Sequence, residues 1–115
     1  MPSEIRRGDI YKVNWDPARG SEQKGIRPAL VIQNDIGNEF GATVIVATVS
    51  TRFTRKIYPF QVLTKSRESG LPQDSIIDLG QLITIDKARL VEKCGRLDDL
   101  KMIEIGKAIK LSLGL

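Results

Sequence analysis

Apolar and polar positions change rhythm several times along the chain. From Ile10 to Trp15 (IYKVNW) they alternate: Tyr11, Val13 and Trp15 point one way, Lys12 and Asn14 the other, which predicts a strand with one buried face. Asp16-Pro17 opens a charged, glycine-containing loop without apolar periodicity that runs to Arg27, followed by Pro28. Ala29 to Ile32 is a continuous apolar run, the pattern of a short strand buried on both faces. Asn34 to Gly41 holds two glycines and two asparagines and reads as a turn region. Thr43 to Val49 (TVIVATV) is β-branched and apolar, as a central strand requires. Ile57 to Leu63 reads as a fourth strand, with Pro59 arguing for an edge position or a bulge.

Lys65 to Gly70 is polar and closes on glycine, enough for one helical turn. Ser75 to Leu79 and Gln81 to Ile85 continue as strand around Gly80, a candidate bulge or kink, and Leu90 to Arg96 supplies a last strand. The period then lengthens. Asp98 is a candidate N-cap and Asp99 suits the positive end of a helix dipole. Met102, Ile105, Ile109 and Leu113 recur at three- and four-residue steps, with Leu100 and Ile103 widening the stripe, and Gly114 marks the stop. About five to seven short strands followed by one amphipathic helix predict an α+β, mainly β domain: a small, curved antiparallel β-sheet or barrel with a C-terminal helix.

The length of 115 residues suits a single domain spanning residues 1–115, and 41% apolar with 28% charged residues is ordinary for a soluble globular chain. Histidine is absent, which removes the usual general acid/base at neutral pH, the commonest metal ligand, and serine–histidine or cysteine–histidine catalysis within one chain. The single Cys94 can build neither a disulfide framework nor a cysteine-rich zinc site and reads as a small, semi-buried apolar residue. The N-terminus shows no signal-peptide pattern, and no window approaches the ~18 apolar residues of a membrane span. A cytoplasmic location is the expectation, with no membrane partner and no cofactor. The net charge of +4 permits attraction to a polyanion without demanding it.

Two basic clusters carry the candidate chemistry. The long loop holds Arg19, Lys24 and Arg27 beside Glu22, with Ser21 and Gln23 as neutral hydrogen-bonding groups. Arg27 sits where the loop meets a strand, so its root is held while its head faces outward. A guanidinium so placed suits bidentate phosphate binding and stabilisation of charge developing on phosphorus, or it anchors the loop by pairing with Glu22. Past the central strand lie Ser50, Thr51, Arg52, Phe53, Thr54, Arg55 and Lys56. Cations that track phosphates and a ring that stacks a base suit single-stranded nucleic acid, although a basic solvated loop with Phe53 tucked inward has the same composition. Asn34, Asn38 and Gln81 offer amides that read base edges or serve the turns they stand in.

Gly8-Asp9-Ile10-Tyr11, the block Gly20-Ser21-Glu22-Gln23…Gly25-Ile26-Arg27-Pro28-Ala29-Leu30-Val31-Ile32-Gln33-Asn34-Asp35, and Gln81…Thr84-Ile85-Asp86 together resemble the MazF/PemK family, toxins of type II toxin–antitoxin pairs. The resemblance runs from Arg7 to Leu113, and from Gly20 to Gly37 it is especially close to the toxins of Gram-positive bacteria. It implies the small SH3-like barrel of CcdB/MazF type with a C-terminal helix, a homodimer, and single-stranded RNA lying across the dimer interface. It also implies a cognate MazE-like antitoxin whose C-terminal tail blocks the same groove. The family's activity is metal-independent cleavage of single-stranded RNA at short sequences, leaving 2′,3′-cyclic phosphate and 5′-hydroxyl ends. The family's catalytic arginine falls on Arg27 and its hydroxyl partner on Ser50, a departure from the usual threonine, with Thr51 adjacent. Glu22 matches an acidic position implicated in some members. Gly80 and Ile83 depart from a glutamate and an arginine that close relatives use in reading RNA, so the recognised sequence does not carry over. The same fold class includes poisons of DNA gyrase, which cut nothing; the G-S-E-Q-x-G-x-R-P block favours the ribonuclease over these and over a plain nucleic-acid-binding module.

The residue inventory fits such a reaction. Without histidine or a dense carboxylate cluster, the economical route is attack by the substrate's own 2′-hydroxyl on the adjacent phosphorus, with the protein supplying position and charge stabilisation.

Overall fold

The structure, a computed structural model, describes residues 4–17, 25–52 and 56–115. Six strands form one antiparallel sheet: β1 (Asp9–Asn14), β2 (Ile26–Val31), β3 (Thr43–Ser50), β4 (Gln61–Thr64), β5 (Ser75–Asp86) and β6 (Leu90–Arg96), in the order β4-β5-β3-β2-β1-β6. Helices α1 (Asp35–Phe40), α2 (Ser66–Ser69) and α3 (Asp99–Leu113) and a 3₁₀ turn at Lys87–Arg89 complete it. This is the mainly β sheet with a C-terminal helix that the hydropathy pattern predicts.

Side-chain alternation divides the sheet into two faces. On one, Ile10, Leu30, Ala47, Val49, Ile77 and Leu79 pack with Leu97 and with Met102, Ile105 and Ala108 of α3. On the other, Tyr11, Val13, Trp15, Ala29, Val31, Val44 and Val46 gather with Ile5, Ile85 and Leu90. Asp98 caps α3 by accepting from Lys101 N at 2.8 Å, and Gly114 ends it in the left-handed conformation at φ 70°. The buried stripe of α3 is narrower than its periodicity suggests. Leu100 and Ile103 are exposed because they stand well round the helix from the Met102–Ile105–Ala108 line that meets the sheet, and Leu113 is exposed at the helix's last residue.

Three further expectations are corrected. The Asn34–Gly41 region is a helix rather than a turn. Asn34 caps it by accepting from Gly37 N at 2.8 Å, and a buried amide pair holds it: Gln33 Nε2 donates to Asn38 Oδ1 at 3.1 Å and Asn38 Nδ2 to Gln33 O at 2.9 Å. Buried Lys87 donates from Nζ to the Asn38 carbonyl. The fourth strand starts at Gln61, not Ile57, because Pro59 sits inside a turn closed by Gln61 N donating to Tyr58 O at 2.8 Å. Strand β2 starts at Ile26 and carries Pro28 within it, opposite Lys12 of β1.

The two halves of the strand around Gly80 are one long β5. Its pairing with β3 jumps from Ala47↔Leu82 to Thr48↔Asp78, so Leu79, Gly80 and Gln81 bulge out. A Cβ on Gly80 would lie 2.9 Å from the Phe60 ring, so a side chain there requires that ring to shift. At the other edge, the Asp9 carboxylate is buried and joins the start of β1 to the end of β6. It accepts from Arg96 Nη1 at 2.7 Å, Lys93 Nζ at 3.1 Å and Arg6 N at 2.9 Å.

Candidate functional site

Arg27 and Ser50 stand on neighbouring strands. The β2–β3 pairing runs Val31↔Val46, Leu30↔Ala47, Ala29↔Thr48, and Arg27 and Ser50 each lie two residues beyond its last pair. Pro28, lacking an N–H, stands at the end of the recorded ladder. On its other side Arg27 pairs with Val13 of β1, so its backbone is gripped by the sheet while its side chain is exposed. Strand alternation from Val31 and Ala29 puts Arg27 on the face away from α3, and alternation from Val46 and Thr48 puts Ser50 there too.

Ser50 is half-buried, and its Oγ accepts from Arg52 N at 3.1 Å, a small turn that holds the hydroxyl as β3 ends. Thr51 and Arg52 are exposed beside it. Gln81 stands on the bulge of β5, and its Oε1 accepts from Thr48 Oγ1 at 3.3 Å. Thus Arg27, Ser50, Thr48 and Gln81 share one face across β2, β3 and β5. Asn34 does not join them. It lies beyond the far end of β2, with its side-chain oxygen engaged in capping α1. Arg19, Ser21, Glu22, Gln23, Lys24 and Phe53 lie outside the described residues.

Two features escaped the sequence reading. Thr48 looked like one more β-branched core residue; its hydroxyl is buried and aligned on Gln81. Tyr58 and Phe60, taken as strand residues, stack with ring centroids 5.4 Å apart and planes 10° apart, with Lys56 Nζ 5.0 Å from the Tyr58 centroid. A basic segment leading into an aromatic pair was the available signal. Cys94 behaves as expected of a semi-buried apolar residue: it packs against the helix-side core, and burial pushes its thiol above the usual range, away from the reactive thiolate. No helix among the described residues is long and apolar enough to cross a membrane.

An exposed arginine and a hydroxyl aligned at the open end of two strands are the parts of an anion-binding site on an otherwise apolar sheet face. Residues 6–113 match the model of the PemK-like, MazF-like toxins of type II toxin–antitoxin systems, and the chain belongs to that family. Among solved structures it is similar to MazF from Deinococcus radiodurans, at 23% identity and TM-score 0.81, covering 99% of this chain and 100% of that one. It is similar also to an endoribonuclease from Mycobacterial species, at 23% identity and TM-score 0.79 over 100% of this chain and 95% of the other. A third similar structure is a mycobacterial endoribonuclease in complex with its cognate antitoxin, at 23% identity and TM-score 0.79 over 96% of each chain.

Proposed function

We propose that this toxin is a sequence-specific, metal-independent endoribonuclease acting on single-stranded RNA. The observation that carries the reading is that Arg27 and Ser50, each two residues past the last β2–β3 pair, fall on the same face of neighbouring strands in a chain whose residues 6–113 match the toxin family. Arg27 binds the scissile phosphate and neutralises the charge that grows on its oxygens, and Ser50 donates a hydrogen bond to the same group. The substrate's 2′-oxygen attacks phosphorus and the bond to the 5′-oxygen breaks. The proton of the 2′-hydroxyl leaves to a base, for which Glu22 is the candidate carboxylate, and a proton reaches the departing 5′-oxygen. The products are a 2′,3′-cyclic phosphate and a 5′-hydroxyl. Gln81, Thr51 and Arg52 contact the RNA beside the cut, with Arg19, Ser21, Gln23, Lys24 and Phe53 on the flanking loops.

The protein works as a homodimer in the cytoplasm, with the RNA groove crossing the dimer interface and the tail of a MazE-like antitoxin filling the same groove. The excess of basic over acidic residues favours both the polyanion and an acidic tail.

End-mapping of products from a long RNA, with EDTA present, tests this. Cyclic-phosphate and 5′-hydroxyl ends at one repeated short sequence are expected, and a single 2′-deoxy substitution at the cut nucleotide abolishes cleavage. Normal cutting of that deoxy substrate would remove the internal-attack mechanism, and RNA left intact would turn the reading toward a toxin that only binds.

A further inference from the structure

Where β1 and β2 part, hydrogen bonds from three directions converge on Asp16. The last β1–β2 pair is Asn14↔Ile26, and one step beyond it Trp15 N donates to Gly25 O at 2.8 Å. Asp16 then engages each of its polar groups. Its N–H donates to Asn14 Oδ1 at 3.1 Å, its carboxylate Oδ1 accepts from Gly25 N at 3.0 Å, and its carbonyl accepts from Arg89 Nη1 at 2.9 Å. The same Arg89 nitrogen donates to Asn14 O at 3.0 Å, so one guanidinium group bridges two carbonyls of a distant segment. Gly25 has φ 70°, and a Cβ there would meet nothing within 4 Å, so its left-handed backbone rather than lack of space favours glycine. The root of Arg89 is itself fixed. Asp86 Oδ1 accepts from Ala88 N at 3.1 Å, Lys87 N donates to Ala42 O at 3.2 Å, and Leu90 pairs with Val13.

This clasp lies beside the row that carries Arg27. Leu90, Val13 and Arg27 stand side by side across β6, β1 and β2, and Asp16 joins Gly25 just past them on the same two strands. Strand ends open first where pairing stops, and a long side chain carries any movement of its Cα out to the group it must meet. We infer that Asp16 is a positioning residue for Arg27. Held by Arg89, it fastens the ends of β1 and β2 together, fixes the backbone at Arg27, and so sets where that guanidinium meets the scissile phosphate. The inference rests on the ribonuclease reading and adds to it a residue that acts through Arg27 without touching the RNA. Asp16 and Asn14 are exposed, where one hydrogen bond contributes only about 1 kcal/mol to stability. A reacting group misplaced by about 1 Å, in contrast, can cost ~100-fold in rate. Bonds at this place therefore serve the aim of Arg27 more than the fold.

The test uses the full chain and an RNA oligonucleotide carrying the mapped cleavage sequence. Asp16→Ala removes the acceptor of the Gly25 N–H, whereas Asp16→Asn keeps it. Asp16→Ala is expected to slow single-turnover cleavage about tenfold, while the Kd of the uncleavable 2′-deoxy oligonucleotide and the urea midpoint hold. Asp16→Asn is expected to restore the parent rate. In an Arg27→Ala background Asp16→Ala is expected to add nothing, because its effect runs through Arg27. A further tenfold loss in that background, or an asparagine as slow as the alanine, overturns the inference and makes Asp16 a charge acting on the RNA itself. So does an unchanged rate, or a rise in Kd that matches the loss of rate. Amide hydrogen exchange reads the clasp without RNA. In Asp16→Ala and in Arg89→Ala the Arg27 N–H is expected to exchange about tenfold faster, while Ile77, fully buried on the closed face, keeps its protection. Unchanged exchange at Arg27 removes the clasp, and protection lost at Ile77 as well makes Asp16 a residue of the fold. The two failures stay distinct. A parent that cuts RNA beside an unaffected Asp16→Ala removes the positioning role alone; a parent that never cuts removes the ribonuclease reading, and exchange at Arg27 still decides the clasp.

Discussion

The two faces of the sheet are built from the same strands and do different things. The face under α3 is closed: Leu30, Ala47, Ile77 and Leu79 meet Ile105 with no polar side chain among them. The opposite face begins the same way, with Val13, Ala29, Val31 and Val46, then passes within two residues into Arg27, Thr48, Ser50 and Gln81. Each face has a buried core, and the candidate site lies at the end of the one that α3 does not cover. The strands that hold Arg27 and Ser50 are also packed on the reverse side, where Leu30, Ala47 and Val49 are buried.

Four measurements break or sharpen this contrast. Ile105→Ala on the closed face removes a fully buried side chain from the helix–sheet contact and should lower unfolding stability by about 4 kcal/mol in urea. A loss under ~1 kcal/mol would show that α3 does not close the core. Arg27→Ala on the open face should slow single-turnover RNA cleavage at least ~100-fold while the urea midpoint stays put. A stability loss comparable to that of Ile105→Ala would make Arg27 a structural residue. Ser50→Ala should slow cleavage roughly tenfold, as expected for one hydrogen bond to a charged group, and more than Thr51→Ala does. The reverse order would mean that the hydroxyl facing Arg27 is one residue further along.

The smallest effect belongs to neither face. The Arg7 backbone N–H, donating at 2.7 Å, holds the Asp35 carboxyl below its usual value, with help from Asn38. A carboxyl with a depressed folded-state pKa stabilises above its unfolded value of about 3.9 and loses that contribution as pH falls through the lower folded value. Asp35→Ala should therefore be less stable than the parent at pH 6, and the gap should narrow as pH drops below 4. A gap that stays constant with pH would remove the charge from the account.

Elements whose order is local were legible in the sequence. The alternation at Tyr11, Val13 and Trp15, the β-branched run before Ser50 and the Asp98…Gly114 bounds of the helix each rest on neighbouring residues. Helix α1 was not legible, because a six-residue helix is too short for a period and is held by Gln33 and by Lys87, which comes from far along the chain. The start of β4 was hidden by Pro59, which makes a turn that composition alone does not separate from an edge strand. The site divides the same way. Arg27 and Ser50 were identifiable singly, and their alignment needed the β2–β3 register. The Thr48–Gln81 bond needed the β5 bulge.

The strand order also bears on how the toxin comes into being. The first strand made, β1, finds its outer partner only in β6, the last, with Asp9 waiting for Lys93 and Arg96. During synthesis, at about 5–20 residues per second, Arg27 and Ser50 are made seconds before the edge that completes their sheet, and α3 follows later still. The sheet that carries Arg27 and Ser50 is thus complete only after the last strand has been made.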